Sequence, residues 1–176
     1  LVGRSVWRTR SGYCGCKAIA AGIDMVTGGM VLRMVSVCEQ LTVQSRRETE
    51  AVNITPLVEA LVEKSGVKQG IVLVYSQHTS AGIVVTEGIP CLEEDVGRFL
   101  EKLVPEEGDY KHRRYLDYDG RIGFNAPMHL RSVLTGYMAA FPIVHGRILK
   151  GSRQTIYFME FDGPLERKVT VQVLGE

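Results

Sequence analysis

The chain contains no apolar run near the ~20 residues that a membrane-spanning helix needs, so no helical span is expected. It lacks a dominant charge: 21 Lys and Arg stand against 20 Asp and Glu, leaving +1. Nothing global therefore points to nucleic acid or to an anionic membrane surface. Cysteine is scarce, with four in 176 residues. Their spacing holds neither a Cys-x-x-Cys pair nor an extracellular disulfide framework, which fits a reducing, cytoplasmic compartment. Cys14-Gly15-Cys16 has no second pair with which to hold a metal. Cys91 reads as a buried, inert thiol rather than a nucleophile. P-loop and Rossmann glycine fingerprints are missing, and no repeat or low-complexity segment follows residue 36. What remains, 45% hydrophobic and 23% charged residues, is ordinary globular composition. A chain of this length buries roughly 70% of its unfolded surface around a single core.

Charge is unevenly placed. Residues 1–36 carry +4 and the remainder −3. The first segment shows neither alternation nor a helical stripe, and an Arg-rich, acid-poor beginning is shared by organelle transit peptides. The plainer reading is an extension outside the domain, with little order before residue 35 and Met30 or Met34 as a start. The domain is then 37–176.

The body alternates strand and helix signals. A strand is expected over 37–46. A helix starts at Thr55, whose hydroxyl can cap free N–H groups, with Pro56 in the first turn where no donor is needed. Leu57, Val58, Leu61 and Val62 form its apolar face and Gly66 its stop. The continuous apolar run 71–75 predicts a strand buried on both faces, and 83–86 another strand. A second helix over 90–104 carries Leu92, Val96, Phe99, Leu100 and Leu103 at helical spacing, and Pro105 ends it. The polar stretch 106–123 is long for a plain connection, as functional loops often are. A third helix begins after Asn125, a good cap, with Leu130, Val133, Leu134 and Tyr137 as its stripe. The tail is β, two strands over 155–161 and 167–173 around the turn Asp162-Gly163-Pro164. Clustered strands with helices interspersed irregularly define an α+β class.

Chemistry-bearing residues concentrate in the same stretch. His78 follows a strand, His112 lies in the polar loop and His129 in the first turn of the third helix. Three neutral imidazoles can bind a divalent metal such as zinc and leave a fourth position open for water or substrate. No local ligand spacing supports such a site, however, and a hydrogen-bonded His78 with a solvated His112 is the plainer outcome. His145 reads as a hairpin-turn residue. Glu87 follows a strand, and Glu160 lies inside an apolar one, on the face of Ile156 and Phe158. Such a carboxylate is either paired with an arginine or suited to acid–base chemistry. Lys150-Gly151-Ser152-Arg153-Gln154 allows close backbone approach, and Arg153 could pair with an oxyanion; an exposed basic turn is the simpler alternative.

These residues stand in the order of a known pattern. Gln77-His78-Thr79-Ser80-Ala81-Gly82, Thr86-Glu87, Asn125-Ala126 with His129, Gly151 with Gln154, and Glu160-Phe161-Asp162-Gly163-Pro164 resemble the YjbQ-like family, whose members are described as secondary thiamine-phosphate synthases. The resemblance covers roughly 37–176. It implies a compact α+β fold with a mostly antiparallel β core and about three helices, a homotrimer, and a small phosphorylated ligand. It implies that His78, His112 and His129 converge around a metal or an anion, with Glu87, Asn125, Gln154 and Glu160 nearby. His78, Glu87 and Glu160 are then the catalytic candidates, and Asn125, Gly151, Arg153 and Gln154 the substrate-binding ones. The implied reaction joins hydroxymethylpyrimidine diphosphate to thiazole phosphate and releases pyrophosphate. Three positions depart from the pattern. Ser152-Arg153 replaces Thr-Trp, so an aromatic wall becomes a cation. Pro127 and Met128 fill an interval that usually holds an acid, a partner that could orient His129. Met159 stands where a cysteine is frequent. A metal-dependent hydrolase of a phosphorylated or ester substrate, and a non-catalytic trimeric binding protein, are the alternatives.

Overall fold

The computed structural model describes residues 21–27, 30–114 and 123–176. Cys14-Gly15-Cys16 and the middle of the polar stretch lie outside the described residues. The strands are β1 (Ala21–Thr27), β2 (Met30–Gln44), β3 (Glu50–Asn53), β4 (Gln69–Ser76), β5 (Ala81–Glu87), β6 (Met138–Val144), β7 (Arg147–Ile148), β8 (Gln154–Glu160) and β9 (Glu166–Gly175). The helices are α1 (Thr55–Ser65), α2 (Pro90–Leu103) and α3 (Ala126–Thr135), with short 3₁₀ turns at Lys111–Arg114 and Gly123–Asn125. One sheet has the order β1-β2-β9-β4-β6-β7 and the other β3-β8-β5, and every pairing is antiparallel. This is the expected α+β architecture.

Two apolar layers hold it together. In the larger, Val72 and Val74 of β4 and Val169, Val171 and Val173 of β9 meet Val58 and Val62 of α1 and Ile83, Ile156 and Phe158 of the small sheet. In the smaller, Tyr157, Met159 and Phe161 meet Leu100 of α2 and Met128 of α3. The three-stranded sheet is therefore covered on both faces. Its central strand β8 reads as an unbroken buried run from Ile156 to Glu160. The Tyr157 hydroxyl donates to Glu93 at 2.5 Å, tying α2 to β8. Burial first, and then that bond, push the Tyr157 phenol up to about 12.

Several local expectations change, and Cys91, expected to be buried, is exposed near the start of α2. β4 is buried on one face only: Val72 and Val74 point inward while Ile71 is 55% exposed. An antiparallel sheet with a core on one side produces this alternation. β2 begins at Met30, and β1 pairs with it from Ala21↔Ser36 to Thr27↔Met30, where little order was expected before residue 35. The hairpin continues the strand that borders β9 and occupies its outer edge. Thr55 does not cap α1; its hydroxyl bonds the Ile156 amide across the core, and Asn53 Oδ1 accepts the Thr55 N–H at 2.9 Å. Gly66, at φ 74, ends α1 in the left-handed state that favours glycine. On α3 the apolar stripe faces outward, leaving Leu130, Val133 and Leu134 exposed, while Arg131 and Ser132 are buried. Among the described residues, no helix is long and apolar enough to cross a membrane.

Candidate functional site

The β4–β5 connection, residues 77–80, sits between α3 and the turn that follows β8. Phe161 donates its amide to the Ser80 carbonyl at 3.2 Å, and Ser132 Oγ donates to the Ala81 carbonyl at 2.7 Å. These bonds explain the orientation of α3. Its polar side faces inward because the carbonyl at the start of β5 and the end of α2 need donors. Arg131 answers the second need: its Nε and Nη2 donate to the Val104 carbonyl at 3.1 and 2.9 Å, at the negative end of α2. Arg131 is 1% exposed, and its Nη1 has no hydrogen-bond partner among the described residues.

Below the connection lies a buried ion pair. Glu160 is fully buried, and Arg167 of β9 grips it side-on, Nε to Oε2 at 2.7 Å and Nη2 to Oε1 at 2.8 Å. Oε1 also accepts the amides of Phe161 and Asp162 at 3.1 and 3.0 Å, and Arg167 Nη2 reaches Ser80 Oγ at 3.1 Å. Burial would disfavour an isolated carboxylate; here the bidentate guanidinium and two amides satisfy its lone pairs. The two alternatives for Glu160 thus resolve geometrically towards the arginine pair. Gly163 must remain glycine here, since a Cβ would fall 2.3 Å from the Arg47 carbonyl and 2.9 Å from Glu160 Cγ.

The three histidines divide. His129 Nδ1 lies 2.9 Å from the Thr79 carbonyl, and a carbonyl only accepts, so Nδ1 carries a proton and Nε2 is the ring nitrogen left free of that bond. His112 meets His129 edge to face, with ring centroids 5.5 Å apart and planes at 80°. Both border a cavity of about 570 Å³ whose wall also includes Thr79, Tyr110, Lys111 and Ala126. His78 turns elsewhere: its Nε2 accepts the Lys168 amide of β9 at 3.0 Å. Among the described residues, no group of three or more His, Cys, Asp or Glu is placed to hold a metal ion. A three-histidine metal centre does not fit this geometry, because the Nε2 lone pair of His78 is already used.

Burial, and then the neighbouring Arg167 charge, hold the His78 pKa below 6.5. The folded state then binds fewer protons than the unfolded state between the lowered value and 6.5. Stability rises with pH across that window, reaches its full value above 6.5 and is lost as pH falls through the folded-state pKa. Thermal melts between pH 7.5 and 5 are expected to show this fall, and His78→Asn to flatten it. An unchanged slope in the variant would remove His78 as its source.

The remaining candidates form a second cluster. Glu87 and Gln154 are directly paired partners across β5 and β8, and Ala81↔Glu160 marks the opposite end of the same ladder. Six strand residues at ~3.4 Å each place the two ends about 20 Å apart. Arg153 pairs with Glu87 at 2.5 Å, and Gln154 Oε1 accepts the Gly151 amide at 2.7 Å. Gly151, Arg153, Gln154 and Glu87 therefore stand apart from the histidine pair within one chain. Asn125 lies on the histidine side. It does not cap α3 with its side chain; its Nδ2 donates to Asp162 at 3.1 Å, and its buried Oδ1 has no partner among the described residues. Pro127 in the first turn of α3 removes one N–H that a cap would use. Sequence reasoning missed Arg167 and Arg131. Arg167 was legible in principle, as a base in phase with Val169, Val171 and Val173 that needed an acid such as Glu160. Arg131 carried no such signal.

The described residues thus form a two-sheet α+β fold that carries a buried carboxylate–guanidinium pair and a cavity bordered by two imidazoles. The family profile described as "UPF0047 protein YjbQ-like" matches residues 39–176. A UPF0047 protein from Archaeoglobus fulgidus is 39% identical over 135 residues, covering 77% of this chain and 99% of its own. The UPF0047 protein YugU of Bacillus subtilis is 30% identical over 136 residues, covering 77% and 97%. The crystal structure of a YbjQ-like protein from Sulfolobus solfataricus superposes with a TM-score of 0.75 at 35% identity, covering 81% of this chain and 99% of that one. The chain belongs to the YjbQ-like UPF0047 family.

Proposed function

We propose that the chain is a transferase resembling thiamine-phosphate synthases, joining hydroxymethylpyrimidine diphosphate to thiazole phosphate as a secondary activity. The supporting observation is the His112–His129 pair on a cavity of about 570 Å³ with Lys111 on its wall. That volume lies in the range of small-molecule sites. In the reaction the methylene–oxygen bond breaks, pyrophosphate leaves with the electron pair, and the thiazole nitrogen forms the new C–N bond. The chain's task is to hold the diphosphate and to stabilise its departing charge. His129, fixed through Nδ1, presents Nε2; protonated, it donates to a leaving oxygen, and Lys111 adds a second cation.

The same reading assigns the chain to a homotrimer. A closed ring pairs two unlike patches, and the described residues expose apolar side chains on the large sheet and on α3, among other places. Ile71, Tyr75, Met138 and Leu174 share the outer face of the large sheet, with Ile71 opposite Leu174 and Tyr75 opposite Met138. Leu130, Val133 and Leu134 form the other on α3. A single species of three 19.5 kDa chains in sedimentation is the expected form.

The experiment is incubation of the protein with the pyrimidine diphosphate, with and without the thiazole phosphate. Joined product only when both are present supports the transferase. Phosphate release from the diphosphate alone would replace it with a hydrolase, and no turnover with retained binding would leave a binding protein.

A further inference from the structure

We propose a second anion site, separate from the histidine cavity, that takes the phosphate or diphosphate group of a small phosphorylated molecule. It lies where the β6–β7 turn and the chain before β8 face α1, around a cavity of about 770 Å³. Lys68, His145, Arg147 and Lys150 line it, against Glu59 and Glu63 of α1. Lys150 Nζ stands 3.5 Å from Glu59 and donates to the Gln154 carbonyl at 3.2 Å, with only 19% of its side chain exposed. That cation is anchored. Lys68 and Arg147 form no ion pair among the described residues, although both border the same cavity. Three cations against two carboxylates leave the lining with a net positive charge, with Lys68 and Arg147 not engaged in ion pairs among the described residues; an anion with several oxygens suits such a lining, and a guanidinium binds phosphate through paired N–H groups.

The backbone fixes the constellation. His145 and Gly146 both take left-handed conformations, φ 53 and 77, as a two-residue hairpin turn demands. His145 is the one non-glycine residue with positive φ among those described, and such residues cluster at ligand sites. The Gly146 amide donates to the Lys68 carbonyl at 3.0 Å, so the turn is pinned to the entrance of β4. A Cβ on Gly146 would lie 3.3 Å from Lys68 Nζ, which places that ammonium over the turn. The sequence thus spends its Gly146 on bringing Lys68, His145 and Arg147 together.

The test is calorimetric titration of the full chain with inorganic pyrophosphate and with adenosine monophosphate. Comparison with the doubly substituted Lys68→Gln, Arg147→Gln protein reports this site, and comparison with His129→Asn reports the histidine cavity. Both altered cations are exposed, so melting temperature should hold. The expected result is at least tenfold weaker binding of one or both probes in the double variant, and unchanged binding at that site in His129→Asn. Tighter pyrophosphate binding identifies a free diphosphate and tighter nucleotide binding a phosphoester. Shifts of the Gly146 and Gly151 amide resonances on titration locate the ligand independently. Absence of binding by the unaltered protein, equal affinity in the double variant, or loss confined to His129→Asn would overturn the proposal. The last outcome would leave the histidine reading standing, and failure of that reading would not touch this site.

Discussion

Glu160→Gln is expected to destabilise the protein by about 3–5 kcal/mol, because it leaves the Arg167 guanidinium buried without its counter-charge. At the 2–4 °C per kcal/mol usual for a domain of this size, the melting temperature should fall by roughly 10 °C. The substitution keeps the shape of the side chain, so the effect reads charge and hydrogen bonding rather than packing. A second variant separates the pair's net contribution from the cost of breaking it. Replacing both partners, Glu160→Leu with Arg167→Met, is expected to restore most of the lost stability, since well-packed apolar residues often match a buried pair. Calorimetric melts of the two proteins decide. A single variant within 1 kcal/mol of the original would show that the pair is not a stabilising clamp. A double variant no better than the single would show that the amide and Ser80 bonds, which only the double variant removes, contribute as much as the charge pair.

The same residues show where sequence was informative and where it was not. Period-two alternation correctly placed Glu160 on the face of Ile156 and Phe158, and in the structure Arg167 stands in phase with the buried valines of β9. Pairing across two strands is a tertiary fact, however, and period alone offers no way to match an acid on one strand to a base on another. α3 failed for a sharper reason. Its stripe of Leu130, Val133 and Leu134 points outward, because two buried carbonyls, those of Ala81 and Val104, are satisfied by Ser132 and Arg131. Orphaned backbone acceptors cost enough to override an apolar stripe.

The candidate site was legible as a set of residues but not as a place. Resemblance named His78, His112, His129, Glu87, Asn125, Gly151, Gln154 and Glu160 together. Register separates them along one ladder, Glu160 opposite Ala81 at one end and Gln154 opposite Glu87 at the other. Asn125 lies on the Glu160 side. Its side chain donates to Asp162 rather than capping α3, and its buried Oδ1 has no partner among the described residues.

His129→Asn is the decisive substitution for the proposed transfer. An asparagine amide can still donate to the Thr79 carbonyl in place of Nδ1, so the positioning bond survives while the Nε2 group is removed. The joined-product rate is expected to fall by about 10²-fold or more, the usual contribution of a positioned acid or base, with the melting temperature nearly unchanged. His129→Gln reaches the Nε2 position with a donor that cannot give up a proton. Recovery in that variant assigns His129 to electrostatic support of the leaving group, and equal loss assigns it to proton transfer. His112, exposed and in edge-to-face contact with His129, should cost less, roughly tenfold. His78→Asn should leave the rate unaltered, because its ring is committed to the Lys168 amide. If the largest loss fell on His78 and none on His129, the cavity would not be where the chemistry happens, and the ring held against β9 would take its place.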